Sequence, residues 1–115
     1  MATSYFTTVE GITIAANQTD ERPGQGLAAN TAYAEISFPN AGFDQVTIYR
    51  PFTNLDEAKA AAEALAGQVK SLAPRGTHLA WSRPKLWKPG DLAAREAIDR
   101  LAREWAGETA VVHEI

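Results

Sequence analysis

Apolar and polar residues alternate along Tyr5–Val9 and Ile12–Ala15, with Glu10-Gly11 between them. Strand side chains point to opposite faces in turn, so this spacing predicts a tight hairpin or one strand bent by a glycine bulge. The strongest strand signal is Thr31–Phe38: Ala32, Ala34, Ile36 and Phe38 share one face, and Tyr33, Glu35 and Ser37 share the other. Pro39-Asn40-Ala41-Gly42 supplies turn residues. Gln45–Arg50 then predicts an antiparallel partner strand with Val46 and Ile48 inward.

The pattern next shifts to a helical period. Leu55, Ala58, Ala62, Leu65, Val69 and Leu72 recur every three or four residues and predict a helix from Leu55 to about Ala73. Asn54 suits its N-cap, Asp56 and Glu57 suit the positive end of its dipole, and Pro74 and Gly76 end it. Gly67 inside it suggests close packing at that point, since glycine is costly in a helix. Thr77–Arg83 reads as a short strand with Leu79 and Trp81 on one face, and Pro84 and Pro89 bracket an irregular connection. A second helix is expected from Asp91, as N-cap, to about Ala106. It should bury Ala94, Ile98, Leu101 and Trp105 and leave Arg95, Glu96, Asp99, Arg103 and Glu104 in water. Glu96–Arg100 and Asp99–Arg103 are i,i+4 pairs in the favourable order. Gly107 stops the helix, and Thr109–Ile115 predicts a last strand with Val111, His113 and Ile115 on one side.

These elements predict an α+β fold, a mostly antiparallel sheet of five to six strands in the order β-β-β-β-α-β-α-β with two helices on one face. The region 45–115 would also accommodate a ferredoxin-like or split β-α-β arrangement. A length of 115 residues suits one domain, spanning 1–115. Its longest irregular tract is Asn17–Asn30, which has no periodicity. A loop of that length in a compact domain is either functional or a mobile connection.

Composition narrows the chemistry. With no cysteine, disulfides, thiolate metal sites and cysteine nucleophiles are excluded. The N-terminal residues lack the basic and apolar regions of a signal peptide, and no apolar run is long enough to span a bilayer. A cytoplasmic location is therefore expected. The net charge of −3 disfavours general nucleic-acid binding.

That acidic balance is uneven. Ala64–Gly90 holds no acidic residue but contains Lys70, Arg75, His78, Arg83, Lys85 and Lys88, interleaved with Trp81 and Trp87. Indoles beside cations can stack on bases while holding phosphate, or anchor a protein interface. The simpler reading is a core tryptophan beside solubilising lysines. Catalytic signals are thin by comparison. His78 and His113 could meet on one sheet face with Glu10, Glu35 or Glu114, but strand histidines are commonly structural. Ser4, Ser37, Ser71 and Ser82 lack a nucleophile-elbow context, and Pro23-Gly24-Gln25-Gly26 lacks the Lys-Ser/Thr of a phosphate loop. No cofactor or metal is expected.

Tyr33–Phe43, YAEISFPNAGF, followed by Asn54-Leu55-Asp56-Glu57-Ala58, resembles the strand–Pro–Gly–helix rhythm of HicB-type antitoxins. That resemblance implies a small partial RNase-H-like domain that neutralises a toxin partner. It covers under a third of the chain, with a longer spacing after Gly42 and two extra strand signals before Tyr33.

The leading expectation is a non-enzymatic protein-interaction module: an inhibitor, antitoxin-like or phage accessory protein. Its contacts would be Arg75, Trp81, Arg83, Lys85, Trp87 and Lys88, with Asp20–Gly26 as a second lobe. A homodimer is compatible with the sequence. The alternative is a small enzyme or ligand-binding protein with a pocket between sheet and helices, lined by Tyr33, Tyr49 and His113. Nucleic-acid binding is the third reading.

Overall fold

A computed structural model describes residues 2–39, 45–73 and 89–114. Its elements are β1 (Ala2–Val9), β2 (Ile12–Gln18), β3 (Ala32–Pro39), β4 (Gln45–Phe52), α1 (Leu55–Leu72), α2 (Pro89–Ala106) and β5 (Val111–Glu114). The five strands form one antiparallel sheet in chain order, β1-β2-β3-β4-β5, with both helices packed against it. The expected strand at Thr77–Arg83 lies outside the described residues. β1 to β4 form a meander and β5 adds antiparallel to β4; the split β-α-β reading of region 45–115 depends on that expected strand and lies with it outside the described residues.

Local chemistry explains the turns. Glu10 and Gly11 both have positive φ, 48° and 91°, the signature of a type I′ turn, and Val9 faces Ile12 across it. Of the two readings of this segment, the hairpin forms. A bulge at Ser4 shifts the register near the start of β1. Asn54 caps α1: its Oδ1 accepts from the Glu57 N–H at 2.9 Å.

One face of the sheet carries the core. Ile12, Ile14 and Ala16 of β2, Ala32, Ala34, Ile36 and Phe38 of β3, and Val46 and Ile48 of β4 are buried in a single cluster. Ala58, Ala62, Leu65 and Val69 of α1 and Ala94, Ile98, Ala102 and Ala106 of α2 close over it. α1 lies across β1 to β3, and α2 lies across β3 and β4. Beside Trp105, the Arg50 guanidinium sits 5.6 Å from the indole and 5.0 Å from the Phe52 ring, a cation–π arrangement at the rim of the core.

Four expectations for the helices need correction. Gly67 is exposed, and a Cβ there would meet nothing within 4 Å, so close packing does not account for it. α2 opens at Pro89 instead of after Asp91, because proline's fixed φ suits a first helical turn. Asp91 is consequently inside that turn and buried. Arg95 is not in water: it is 2% exposed. It follows Asp91 by four residues and precedes Ile98 by three, which places all three on the buried stripe. Burial lowers the Arg95 pKa to about 10, and the charge of Asp91 works against that shift. Leu101 and Trp105, expected to be buried, are only partly so, because the stripe rotates toward Ala102 and Ala106. The expected Asp99–Arg103 pair forms at 3.0 Å, and Arg103 also reaches Glu114, tying α2 to β5.

Candidate functional site

The opposite face of the sheet is polar and aromatic, and the segment between β2 and β3 folds over it. Thr19, at the base of that segment, is buried and gathers the two stems. Its N–H donates to Thr31 O at 3.0 Å, and its hydroxyl accepts from the Thr31 N–H at 2.8 Å. The same hydroxyl lies 2.6 Å from Ala28 O and 3.1 Å from Thr31 O, so its one proton serves these carbonyls. Asn30, at φ 53°, donates its N–H to Asp20 O, and Leu27 donates to Gly24 O across a turn in which Gln25 and Gly26 have positive φ. Leu27 is itself buried. The tract that lacks periodicity is thus a folded loop.

Three rings hold it from below. Tyr33, Tyr49 and His113, from three adjacent strands, meet edge to face, with centroids 6.3 Å apart for the tyrosine pair and 5.8 Å for Tyr49 and His113. Each ring gives its polar tip to the loop. The Tyr33 hydroxyl accepts from the Ala28 N–H at 3.0 Å. The Tyr49 hydroxyl donates to Gln25 Oε1 at 2.9 Å. His113 Nε2 lies 2.6 Å from Gln25 O, and because a carbonyl only accepts, that nitrogen carries the proton.

Glu35 sits beside them, directly opposite Tyr49 in the sheet, and accepts from the Asn17 side-chain amide. Burial raises its pKa and the Asn17 hydrogen bond partly offsets this. Tyr49 is also raised, first by burial and then by the neighbouring Glu35 charge. Further along the face, Ser37 and Thr47 share a hydroxyl–hydroxyl contact of 2.7 Å, and Gln45 donates to Ser37 at 2.8 Å.

Tyr33, Tyr49 and His113 do come together as the ligand-site reading requires, but not between sheet and helices. They occupy the face away from the helices, because odd-numbered positions of β3, β4 and β5 point there. Among the carboxylates considered for His113, Glu35 shares its face, Glu10 lies in the β1–β2 turn, and Glu114 turns the other way to meet Arg103. Arg75, His78, Trp81, Arg83, Lys85, Trp87 and Lys88 all lie outside the described residues. Among the described residues there is no group of three or more metal-ligating side chains, and no helix is long and apolar enough to cross a membrane.

Sequence reasoning missed Thr19 and Asn17, and it placed Gln25 in the Asp20–Gly26 lobe without its role as an anchor. Gln25 left one trace, a Gln-Gly pair where positive φ is needed; Thr19 and Asn17 left none. Residues 20–26, by contrast, are all exposed. The resulting shape is an exposed loop tied to the sheet at its stems and again at Gln25.

Comparison with protein-family models, with curated proteins and with solved structures finds no match. The HicB-type resemblance therefore gains no support from these comparisons.

Proposed function

We propose that this protein is a non-enzymatic protein-interaction module, of the inhibitor, antitoxin-like or phage accessory kind, that presents the 20–26 tip to a protein partner. The basic tryptophan segment, with Arg75, Trp81, Arg83, Lys85, Trp87 and Lys88, is the second part of the proposed contact surface. One observation carries the reading: residues 20–26 are exposed while Thr19 and Tyr33 pin the base of the loop and Tyr49 and His113 hold Gln25 within it. A loop already ordered pays less conformational entropy on binding, the general advantage of pre-organised recognition. The tip offers Glu21 and Arg22 ahead of Pro23-Gly24, so its contacts with a partner would be ionic and hydrogen-bonded.

The ring cluster beside Glu35 favours a second reading, a small-ligand site on that face. Against it, all three polar tips are already engaged by the loop.

The test is an affinity pull-down from the native host with the full chain, followed by calorimetry on any stoichiometric protein recovered. Replacing Glu21 and Arg22 together by alanine should weaken that partner at least tenfold and leave the unfolding midpoint unchanged. A partner bound equally well by the variant, or no stoichiometric partner, overturns the proposal.

A further inference from the structure

The two outer strands of the described sheet differ in how they meet solvent. β5 is short, four residues, and carries Glu114. β1 is eight residues long, ATSYFTTV, with no charge and no proline. Natural edge strands are generally blunted by charge, proline or brevity, because their unpaired backbone groups accept another strand. β1 has only the bulge at Ser4, and residues 5–9 beyond it pair regularly with β2.

The outward-facing backbone groups follow from the turn. In a two-residue type I′ hairpin the flanking residues, here Val9 and Ile12, form a hydrogen-bonded pair, and such pairs alternate along the ladder. Thr7 therefore bonds to Ile14, while Thr8 and Phe6 turn their N–H and C=O groups away from β2. No described strand pairs with that side of β1. Phe6 is also 63% exposed, whereas Tyr33 on the same face is buried.

We propose that β1 pairs antiparallel with β1 of a second copy of this chain, about a two-fold axis through Thr7. Phe6 then lies opposite Thr8 of the second copy, and Thr8 opposite its Phe6, each pair exchanging two backbone hydrogen bonds. Thr7 faces its counterpart, and Tyr5 faces Val9. Every cross-strand pair is apolar or hydroxyl-bearing, and no like charges meet. The two phenylalanines become diagonal neighbours on one face, a separation that aromatic side chains span. An uncharged strand of this kind meets its own copy without like-charge repulsion and with matching backbone groups, as an isologous interface requires. The two-fold axis stands normal to the sheet, so both 20–26 tips emerge on the same side. The pairing does not depend on the proposed function.

Sedimentation equilibrium of the full chain from micromolar to millimolar concentration tests it, with amide hydrogen exchange at both ends of the range. A concentration-dependent dimer is expected, with the Phe6 and Thr8 amides slowing as it forms. Thr8→Pro removes an outward N–H that β2 does not use, so it should weaken the dimer at least tenfold while the monomer keeps its circular dichroism. Phe6→Lys places a charge at the same edge and should weaken it likewise, even if the proline variant fails to fold. A monomer at every concentration overturns the proposal. So does a dimer unaffected by Phe6→Lys, or protection of Phe6 and Thr8 that appears only when a different protein is added.

Discussion

The two faces of the sheet are stabilised by different physics. Toward the helices, Ile14, Ile36 and Ile48 form a contiguous row with no exposure, and the helices contribute chiefly alanines, leucine, valine and isoleucine. Stability there comes from area removed from water and depends little on direction. Toward the loop, Asn17, Thr19, Tyr33, Glu35, Tyr49 and His113 act through directed hydrogen bonds. Those bonds are individually worth little net but costly to leave unmade. The first face sets whether the chain folds. The second sets the shape of one exposed loop.

Substitutions should separate these contributions. Ile36→Ala opens a cavity in the middle of the apolar row and should cost about 3 kcal/mol, read as a drop in the urea midpoint with unchanged slope. A loss below about 1 kcal/mol would show that the helices collapse into the gap. Thr19→Val keeps the shape but strips the hydroxyl from the Thr31 N–H and the Ala28 carbonyl. It should cost about 2 kcal/mol, and hydrogen exchange should quicken at Asn30 and Leu27 before it does in β2 or β3. Uniform loosening of the whole sheet would mean that the loop and the core are one cooperative unit.

The smallest effect concerns Glu35 and pH. Its folded pKa is raised by burial above the usual 4.5, so the folded state holds the proton more tightly than the unfolded chain. The stabilisation from this group is complete below its unfolded pKa and is lost as pH rises through the raised folded value. Comparing urea midpoints across pH, the wild-type protein should lose stability relative to Glu35→Gln over that window. In the same variant the Tyr49 phenol should titrate lower than in the wild type, while burial still holds it above its ordinary value. Parallel pH profiles for the two proteins would remove Glu35 from the account.

Much of the helix-side architecture was legible because it depends on period. Alternation from Ala32 to Phe38 assigned both faces of β3 correctly, and the recurrence from Leu55 to Leu72 set α1. Asn54 was readable as a cap because its bond is local, three residues along the chain. The loop anchors were not readable, since Gln25 meets Tyr49 and His113 only after the sheet has brought distant segments together. Arg95 misled for a different reason: its charge suggested water, whereas its helical phase pointed to the core. Phase was the better guide. The ring cluster was recognised as a set, but its face was misplaced, although the alternation that buries Ile36 and Ile48 already sent Tyr33 and Tyr49 the other way.

Strand order matching chain order also bears on synthesis. Residues 2–52 contain four of the five described strands, each beside its neighbour in sequence, so pairing among them requires no distant partner. Their apolar row, Ile14, Ile36 and Ile48, stays uncovered until residues 55–106 supply the two helices. A nascent chain emerging N-terminus first thus offers four strands for pairing before either helix is available to cover them. Over that interval it is the isoleucine face, and not the exposed loop, that most needs protection from other chains.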